Sequence, residues 1–227
     1  MTNNTYVIAT IKPWNINHFH RIKDTLPGTW HLITSKDMLT TEWLSTINPR
    51  YIFFPHWSWI VPEEVLNRWE CVCFHMADVP YGRGGSPLQN LVERGHSDTK
   101  VSALRMVKEL DAGPVYKKLD LSLAGSAQDI FERMVPKVYD LIRYIASDEP
   151  MPQAQMGEGC TFRRRTPEQS QLPVSGETEE LYNHIRMLDA ETYPKAFLDN
   201  GDFRLEFDKA YLDSDGKVVA RVIISQK

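Results

Sequence analysis

Short apolar runs alternate with segments of helical spacing through the first 76 residues. Four runs rich in β-branched and aromatic residues have the length and the polar boundaries of buried strands. They span residues 5–11, 30–35, 51–57 and 70–76. Helices are predicted for the intervening segments 14–26, 36–47 and 62–69, which repeat apolar residues every three or four positions. Strands that alternate with helices indicate a mostly parallel sheet with helices on both faces.

The pattern is more varied after residue 76. A helix, a strand and an extended segment are predicted in turn over residues 86–95, 99–107 and 115–123. A long amphipathic helix follows over residues 126–147, and Pro136 is expected to kink it.

The C-terminal third lacks this alternation. Residues 148–173 are rich in Pro, Gly and Gln and have little periodicity, which is typical of a linker or a wrapping segment. The elements predicted after it are a helix over 176–188 and two strands, 203–212 and 218–225. We therefore predict an α/β protein. It has an open, mostly parallel Rossmann-like sheet domain over residues 1–150, and a linker with a small C-terminal α+β extension over 151–227.

Charge and composition narrow the functional classes. The net charge is −4 and the pI is near 6.0, whereas proteins that bind nucleic acids usually show a basic face. The dense basic cluster Arg163–Arg165 is interpreted as a solvated turn, so nucleic acid is not expected as a partner. Three cysteines without a CxxC pair predict a reduced, cytoplasmic protein without a metal site. The sequence shows neither a signal peptide nor a long apolar run, so no membrane partner is expected.

Two residues that follow strands carry the candidate chemistry. His75 lies near the end of the strand 70–76, and Asp111 follows the strand 99–107. Ligands of open parallel sheets bind beyond the carboxyl ends of the strands, so both side chains are predicted on the same rim. A histidine with a carboxylate in reach is suited to proton transfer near neutral pH. A buried, hydrogen-bonded histidine and a turn-capping aspartate fit the same pattern, and the residues alone leave both interpretations open.

The same region resembles a known family. The stretches FHMADVPYGRGGSPLQNLVERG and SALRMVKELDAGPVYKKLDL resemble the folate-dependent formyltransferases. The pattern of that family is Asn-x-His-Pro-Ser-Leu-Leu-Pro, then Arg-Gly, then Leu-Asp-x-Gly-Pro. The matching residues are His75, Pro80, Arg83, Gly84, Leu110, Asp111, Gly113 and Pro114. The segments SWIVPEEVL and IRMLDAETYPKAF extend the resemblance, which covers roughly residues 50 to 200.

The resemblance implies transfer of a formyl group from N10-formyltetrahydrofolate, as co-substrate, to a primary amine. It assigns to His75 the proton of the attacking amine, and to Asp111 the orientation and charge of that histidine. Cys73 stands where the family has an asparagine that donates to the oxyanion, and a thiol is a weak donor. Another donor could serve: the His75 imidazolium, Gln89, Asn90, or a backbone N–H of the glycine loop, which contains Gly82, Gly84 and Gly85. Alternatively, the enzyme could be slow, or the position could be disabled. A Cys73 nucleophile is less favoured than a small strand residue.

Binding residues are implied by position. The family holds the pterin with two loops, here Trp59, Ile60 and Val61, then Met106, Val107, Lys108, Glu109 and Leu110. Core packing is the alternative for Trp59 and Ile60. The candidate acceptor contacts are Asp78, Tyr81, Arg83, Gly84 and Tyr193. Asp78 also suits a turn cap, and Arg83 a structural salt bridge.

The acceptor is predicted to be a nucleotide-linked amino sugar. The glycine loop resembles short sugar-nucleotide N-formyltransferases of the pseudaminic acid pathway type, which implies a UDP-linked 4-amino-4,6-dideoxy sugar. A tRNA enzyme of the family is expected to carry a full C-terminal barrel and a basic surface, and the purine enzyme a glycine turn near its N-terminus. Two rivals stay open: a non-catalytic homologue that binds folate or a nucleotide sugar, which Cys73 favours, and a formyltetrahydrofolate hydrolase. The C-terminal helix and strands could also pair two subunits in a homodimer.

Overall fold

The structure, a computed structural model, describes residues 4–191 and 193–227. Its strands are β1 (Thr5–Ala9), β2 (Thr29–Ile33), β3 (Tyr51–Phe54), β4 (Glu70–His75), β5 (Arg83–Gly84), β6 (Asp98–Arg105), β7 (Val115–Ser122), β8 (Thr161–Phe162), β9 (Ala196–Asn200), β10 (Phe203–Leu212) and β11 (Val218–Gln226). Its α-helices are α1 (Pro13–Ile22), α2 (Thr41–Ile47), α3 (Glu63–Arg68), α4 (Pro87–Glu93), α5 (Ala127–Asp148) and α6 (Thr178–Arg186). None of the helices in this part of the chain combines the length and the apolar character needed to cross a bilayer.

The chain divides into two compact units. The first contains the chain up to Arg83, Lys100–Asp120 and Arg133–Cys160; the second contains Gly84–Thr99, Leu121–Glu132 and Thr161–Lys227. The domain boundary expected at residue 150 stays a prediction.

A six-stranded sheet in the order β2-β1-β3-β4-β6-β7 forms the centre of the first unit. The pairs β1–β2, β1–β3 and β3–β4 are parallel, whereas β4 and β6 are antiparallel. Contacts of Arg105 with Pro114 at one end, and of Lys100 with Asp120 at the other, place β7 antiparallel to β6. The predicted α/β class with a mostly parallel central sheet is thereby confirmed.

One face of this sheet is covered by α2 and α3. Val7, Ile52 and Cys71, from three adjacent strands, contact a core cluster that includes Leu44 of α2 and Val65 of α3. Strands buried in this way read as nearly continuous apolar runs, which is why the sequence pattern identifies them.

The opposite face carries α1 and α5. The hydroxyl of Tyr6 on β1 donates to the Ala146 carbonyl of α5 at 3.1 Å. Tyr139 of α5 donates in turn to the Asn15 carbonyl of α1 at 3.0 Å. The α5 helix runs without interruption across Pro136, and the kink expected there stays a prediction.

The second unit contains a three-stranded antiparallel sheet in the order β11-β10-β9. The predicted C-terminal extension with its β10–β11 hairpin is confirmed, whereas the sequence pattern did not predict β9. This strand follows Pro194, and only its first two residues are buried, so it shows little alternation. At the end of α6 the guanidinium of Arg186 donates to the carbonyls of Leu123 and Gly125 at 2.6 and 2.8 Å.

Candidate active site

His75 closes β4 with a buried side chain. Successive side chains of a strand alternate between its faces, so Cys73 and His75 lie on the same face of β4. Only 7% of the His75 side chain is exposed. In such a place, largely shielded from water, the hydrogen bonds of the ring decide its orientation.

Two acceptors hold the His75 imidazole. Its Nε2 lies 2.7 Å from the carbonyl oxygen of Gly82, and its Nδ1 lies 3.4 Å from Oδ2 of Asp111. A carbonyl oxygen can only accept, so Nε2 is the donor in the shorter contact. The carboxylate distance is that of an ion pair rather than of a strong hydrogen bond. The structure thus brings the predicted histidine and aspartate together and fixes the ring at both nitrogens.

Asp111 reaches His75 by a route that the sequence pattern does not predict. Because β6 is antiparallel to β4, its last residue, Arg105, lies opposite Val72 rather than beside His75. The prediction that two strand ends place both side chains on one rim was therefore wrong. The loop after β6 folds back instead, and within it Asp111 has a φ of 53°, which residues other than glycine rarely adopt.

Gly113 permits this return of the loop. A Cβ at Gly113 would lie 1.8 Å from the carbonyl oxygen of Arg105, a separation that close-packed atoms do not reach. The N–H of Arg105 donates to the Pro114 carbonyl at 2.9 Å, which closes the loop. The lack of space for a Cβ therefore explains the glycine in the Leu-Asp-x-Gly-Pro part of the motif.

The Gly82 carbonyl is held toward His75 by bonds to Cys160. The N–H groups of Gly82 and Arg83 donate to the Cys160 carbonyl, each at 3.1 Å, and the Cys160 N–H donates to the Pro80 carbonyl at 3.2 Å. Gly82 has a φ of 77°, which favours glycine. Cys160 lies in the segment predicted as a linker or a wrapping segment, and the wrapping interpretation fits these contacts.

Gln155 joins the Asp111 loop to the glycine loop, and no sequence pattern points to it. Its Nε2 donates to the carbonyls of Asp111 and Gly113, both at 2.8 Å. Its Oε1 accepts from Nε and Nη2 of Arg83 at 2.9 and 2.7 Å. Arg83 forms this pair with an amide, and it has no ion pair with a carboxylate in the described part of the chain.

Asp78 and Tyr81 lie in the first unit, just before the glycine loop. The Asp78 carboxylate pairs with the ammonium of Lys118 at 2.6 Å, so an acceptor amine that binds there would have to displace Lys118. Tyr81 is exposed, and its N–H closes a turn with the Asp78 carbonyl at 3.2 Å. The Tyr81 side chain is thus exposed at the surface next to the loop that contacts His75.

Gly84 and Tyr193 belong to the second unit. Gly84 has a φ of 98°, and a Cβ there would lie 2.5 Å from the Phe162 carbonyl oxygen. The ring of Tyr193 packs against Phe131 with centroids 6.0 Å apart, and burial raises the pKa of its hydroxyl. Their roles as acceptor contacts stay predictions.

The two loops predicted to hold the pterin expose apolar side chains. Trp59, Ile60 and Leu110 are 40%, 85% and 62% exposed. The ammonium of Lys108 lies 3.5 Å from the Glu63 carboxylate at the start of α3, so the two loops are neighbours. The core-packing alternative for Trp59 and Ile60 does not hold, because both face solvent. Contiguous exposed apolar side chains are typical of a ligand or partner site.

The other residues of these loops divide between core and surface. Val61 is buried in the core cluster, and Met106 packs against it, so these two side chains anchor the loops to the hydrophobic core. Val107 and Glu109 are exposed. Within residues 4–191 and 193–227, no group of three or more His, Cys, Asp or Glu is placed to hold a metal ion.

Cys73 is a thiol rather than a thiolate near neutral pH. Burial, together with the nearby Asp111 carboxylate, raises the pKa of the Cys73 thiol well above its usual range. Burial also raises the pKa of Cys71 to about 12. The thiolate is the nucleophilic form of cysteine, so these surroundings disfavour the nucleophile interpretation. The Cys73 side chain packs against the core cluster of the first unit, as a small strand residue does.

Cys73 is therefore expected to resist alkylation in the folded protein. Iodoacetamide near neutral pH should leave the tryptic peptide Trp69–Arg83 unlabelled, because the reagent needs an accessible thiolate. Mass spectrometry over a time course measures the labelling, with the urea-unfolded chain as the positive control. Rapid labelling of Cys73 in the folded chain would show that the thiolate forms, contrary to this expectation.

Most of the groups considered as substitutes for the family asparagine already donate elsewhere. In the second unit, Gln89 Nε2 donates to the Met187 carbonyl at 3.1 Å, and Asn90 Nδ2 donates to three backbone carbonyls. The N–H groups of Gly82, Arg83 and Gly85 donate to backbone carbonyls as well. The His75 ring is the considered donor that shares a face with Cys73.

Known proteins with a similar sequence include methionyl-tRNA formyltransferases. Residues 167–225 match the family described as "Methionyl-tRNA formyltransferase, C-terminal domain". The chain is 27% identical over 209 residues to the methionyl-tRNA formyltransferase of Thermotoga sp. (strain RQ2), covering 87% of this chain and 64% of that protein. It thus spans less than two thirds of the length of the curated relatives that it matches.

Solved structures extend the similarity to the whole fold. A 4-N formyltransferase from Francisella tularensis is 13% identical, with a TM-score of 0.69 over 100% of both chains, which shows the fold alone. The structure of a methionyl-tRNA formyltransferase from Clostridium thermocellum is 45% identical, with a TM-score of 0.95 over 98% of this chain and 99% of that one. With that identity, and with the site motif folded around His75, this chain belongs to the methionyl-tRNA formyltransferase-like family of formyltransferases.

Proposed function

We propose that this protein transfers a formyl group from N10-formyltetrahydrofolate to a primary amine. The observation that carries the proposal is the buried His75 ring, fixed between the Gly82 carbonyl at 2.7 Å and the Asp111 carboxylate at 3.4 Å. The exposed side chains of Trp59 and Leu110, on neighbouring loops, suit the flat face of a pterin. Membership of the formyltransferase family supports folate as the source of the formyl group.

The reaction requires one proton to move. The amine nitrogen bonds to the formyl carbon, the formyl oxygen becomes an oxyanion, and the bond from that carbon to N10 then breaks. The amine loses a proton and N10 gains one, which leaves a formamide and tetrahydrofolate. His75 is the group placed to carry that proton, and Asp111 stabilises its charged form. Nε2–H donates to the Gly82 carbonyl in this structure, so this hydrogen bond must break before Nε2 can take the proton of the acceptor amine.

Cys73 gives the proposed site a weak donor for the oxyanion. It lies on the His75 face of β4, where a thiol donates less strongly than an amide N–H. Loss of one oxyanion donor typically lowers kcat by about 10²–10³-fold. The proposed enzyme is therefore slower than a relative with asparagine at this position, unless the His75 ring also donates to the oxyanion.

A nucleotide-linked amino sugar is the acceptor that the site chemistry favours. Arg83 places a positive charge beside Gly82, bound to an amide rather than a carboxylate, and a guanidinium suits a diphosphate. Tyr81, exposed on the same loop, offers a ring on which a base can stack. The net charge of −4 disfavours a long polyanion such as tRNA. A UDP-linked 4-amino-4,6-dideoxy sugar is the specific proposal.

Methionyl-tRNA is the second candidate acceptor, and the names of the relatives favour it. The 45% identical structure and the curated relative are both called methionyl-tRNA formyltransferases. Arg163 and Arg164 in the second unit are exposed and available for phosphate contacts.

A panel of acceptors distinguishes the two candidates. The full chain would receive N10-formyltetrahydrofolate with nucleotide-linked amino sugars, with methionyl-tRNA, or with no amine, and tetrahydrofolate release would be followed by absorbance. The proposal expects release that requires an amino sugar. Release with methionyl-tRNA alone would make that the acceptor. Release without any amine would indicate a hydrolase, and folate binding without release a non-catalytic homologue.

Arg83→Gln is expected to weaken acceptor binding. The substitution removes the charge but keeps a donor toward Gln155, so the KM for the nucleotide sugar should rise about tenfold, or about 1.4 kcal/mol, with little change in the KM for folate. Steady-state kinetics with each substrate varied measures both constants. Arg83→Lys keeps the charge and should retain more of the affinity. An unchanged acceptor KM in Arg83→Gln would exclude the anion-binding role.

A further inference from the structure

Residues 153–160 form a strap that runs between the Asp111 loop and the glycine loop, the two loops that hold His75. At its start, Gln153 and the first residue of β7 exchange backbone hydrogen bonds of 2.7 and 2.8 Å. At its end, Cys160 binds the backbone of the glycine loop. Between these anchors the side chain of Gln155 bonds to both loops. A segment whose composition resembles a linker is therefore tied into the site along its length.

The Gln155 amide is satisfied at both ends. Its Nε2 faces two backbone carbonyls, and its Oε1 faces the guanidinium of Arg83. Carbonyls only accept and a guanidinium only donates, so the amide fits in one orientation. A glutamate would direct a carboxylate oxygen at two carbonyls, and a methionine would bind to neither side. The surroundings therefore specify glutamine.

These bonds act on both partners of the His75 ring. On one side Gln155 holds the main chain of Asp111, whose side chain faces Nδ1 and whose φ is 53°. On the other side it holds Arg83, the residue after Gly82, whose carbonyl accepts from Nε2. One side chain thus links the loop of the Asp111 carboxylate to the side chain that follows Gly82, whose carbonyl is the other group that orients the ring.

We propose that Gln155 is a positioning residue for His75. The proposal rests on the proposed formyl transfer, and it places the effect of Gln155 on turnover rather than on folate binding. Without the amide, the Asp111 loop and the Arg83 side chain lose their shared partner, and the Asp111 carboxylate loses its fixed position at Nδ1 of His75. A misplacement of about 1 Å at a reacting group can lower the rate about a hundredfold.

Matched glutamine substitutions test the positioning role kinetically. Gln155→Met removes both sets of bonds, and Gln155→Glu removes the donor and keeps the acceptor. The controls are Gln153→Met and Gln153→Glu, because the exposed Gln153 side chain donates to the Met151 carbonyl and not to the site loops. The Gln155 variants should lose kcat by roughly 10- to 100-fold, with the KM for folate within about twofold of wild type. The Gln153 variants should match wild type.

A spectroscopic readout separates positioning from general support of the fold. In protein with 15N-labelled histidine, the His75 ring nitrogens would be assigned by their loss in His75→Asn. Both resonances should move in the Gln155 variants and stay in place in the Gln153 variants. Unmoved His75 resonances in the Gln155 variants would overturn the proposal, whatever happens to kcat or to thermal stability. If the wild-type chain formylates no amine, the proposed function fails, and the ring spectra still decide the positioning role.

Discussion

His75→Asn is expected to lower kcat for formyl transfer by about 10²–10⁴-fold, the contribution of a positioned proton-transfer group. Asparagine retains a donor that can bind the Gly82 carbonyl, so the glycine loop keeps a partner while proton transfer is lost. The KM for folate should change little, because the exposed loop residues Trp59 and Leu110 are retained. Acceptor-dependent release of tetrahydrofolate at saturating substrates measures the effect.

His20→Asn is the matched control, since His20 is exposed on α1, and it should leave kcat unchanged. Asp111→Asn removes the carboxylate that faces Nδ1 and should also lower kcat strongly, by roughly 10²-fold or more. A His75→Asn chain that folds normally and keeps kcat within about tenfold of wild type would remove His75 from the proposed role.

Cys73→Asn is expected to raise kcat by about 10²–10³-fold, the typical worth of one oxyanion donor. The amide would lie on the same face of β4 as His75, where the family has its asparagine. Because Cys73 packs against the core cluster, an amide group left without a partner there would cost about 1–3 kcal/mol. The variant should therefore be faster and less stable than wild type, as measured by kcat and by thermal unfolding.

Cys73→Ala separates donation from packing, because alanine reduces the side chain without adding a donor. It should show no gain in kcat. An equal gain in both variants would trace the effect to packing. A folded Cys73→Asn chain no faster than wild type would mean that another group already stabilises the oxyanion.

Periodicity predicts the strands and helices of the first unit for a physical reason. Val7 and Ile52 face α2 and α3, while Tyr6 faces α5, so both faces of these strands are buried and their sequences are continuously apolar. The meeting of His75 and Asp111 was also predicted, although from the wrong geometry. The spacing of the motif predicts that the two residues pair, but it does not predict the direction of β6.

The features that the sequence pattern does not predict depend on contacts between residues far apart in the sequence. The antiparallel register of β6, with Arg105 opposite Val72, is fixed by pairing across the sheet rather than by local pattern. Gln155 lies in a segment without periodicity, and its role arises from loops more than 40 residues earlier in the chain. The short strand β9 is buried at only two residues and shows little alternation. These features have no local signal that a single sequence could reveal.

The transfer itself is tested most directly by following a 13C-labelled formyl group. The chain would be given N10-formyltetrahydrofolate labelled at the formyl carbon and a UDP-linked 4-amino-4,6-dideoxy sugar, with the products followed by 13C NMR. The account predicts a labelled formamide on the sugar amine, formed by wild type and lost in His75→Asn. Labelled formate, released at a rate that does not depend on the amine, would contradict it and would make the His75–Asp111 site a hydrolase.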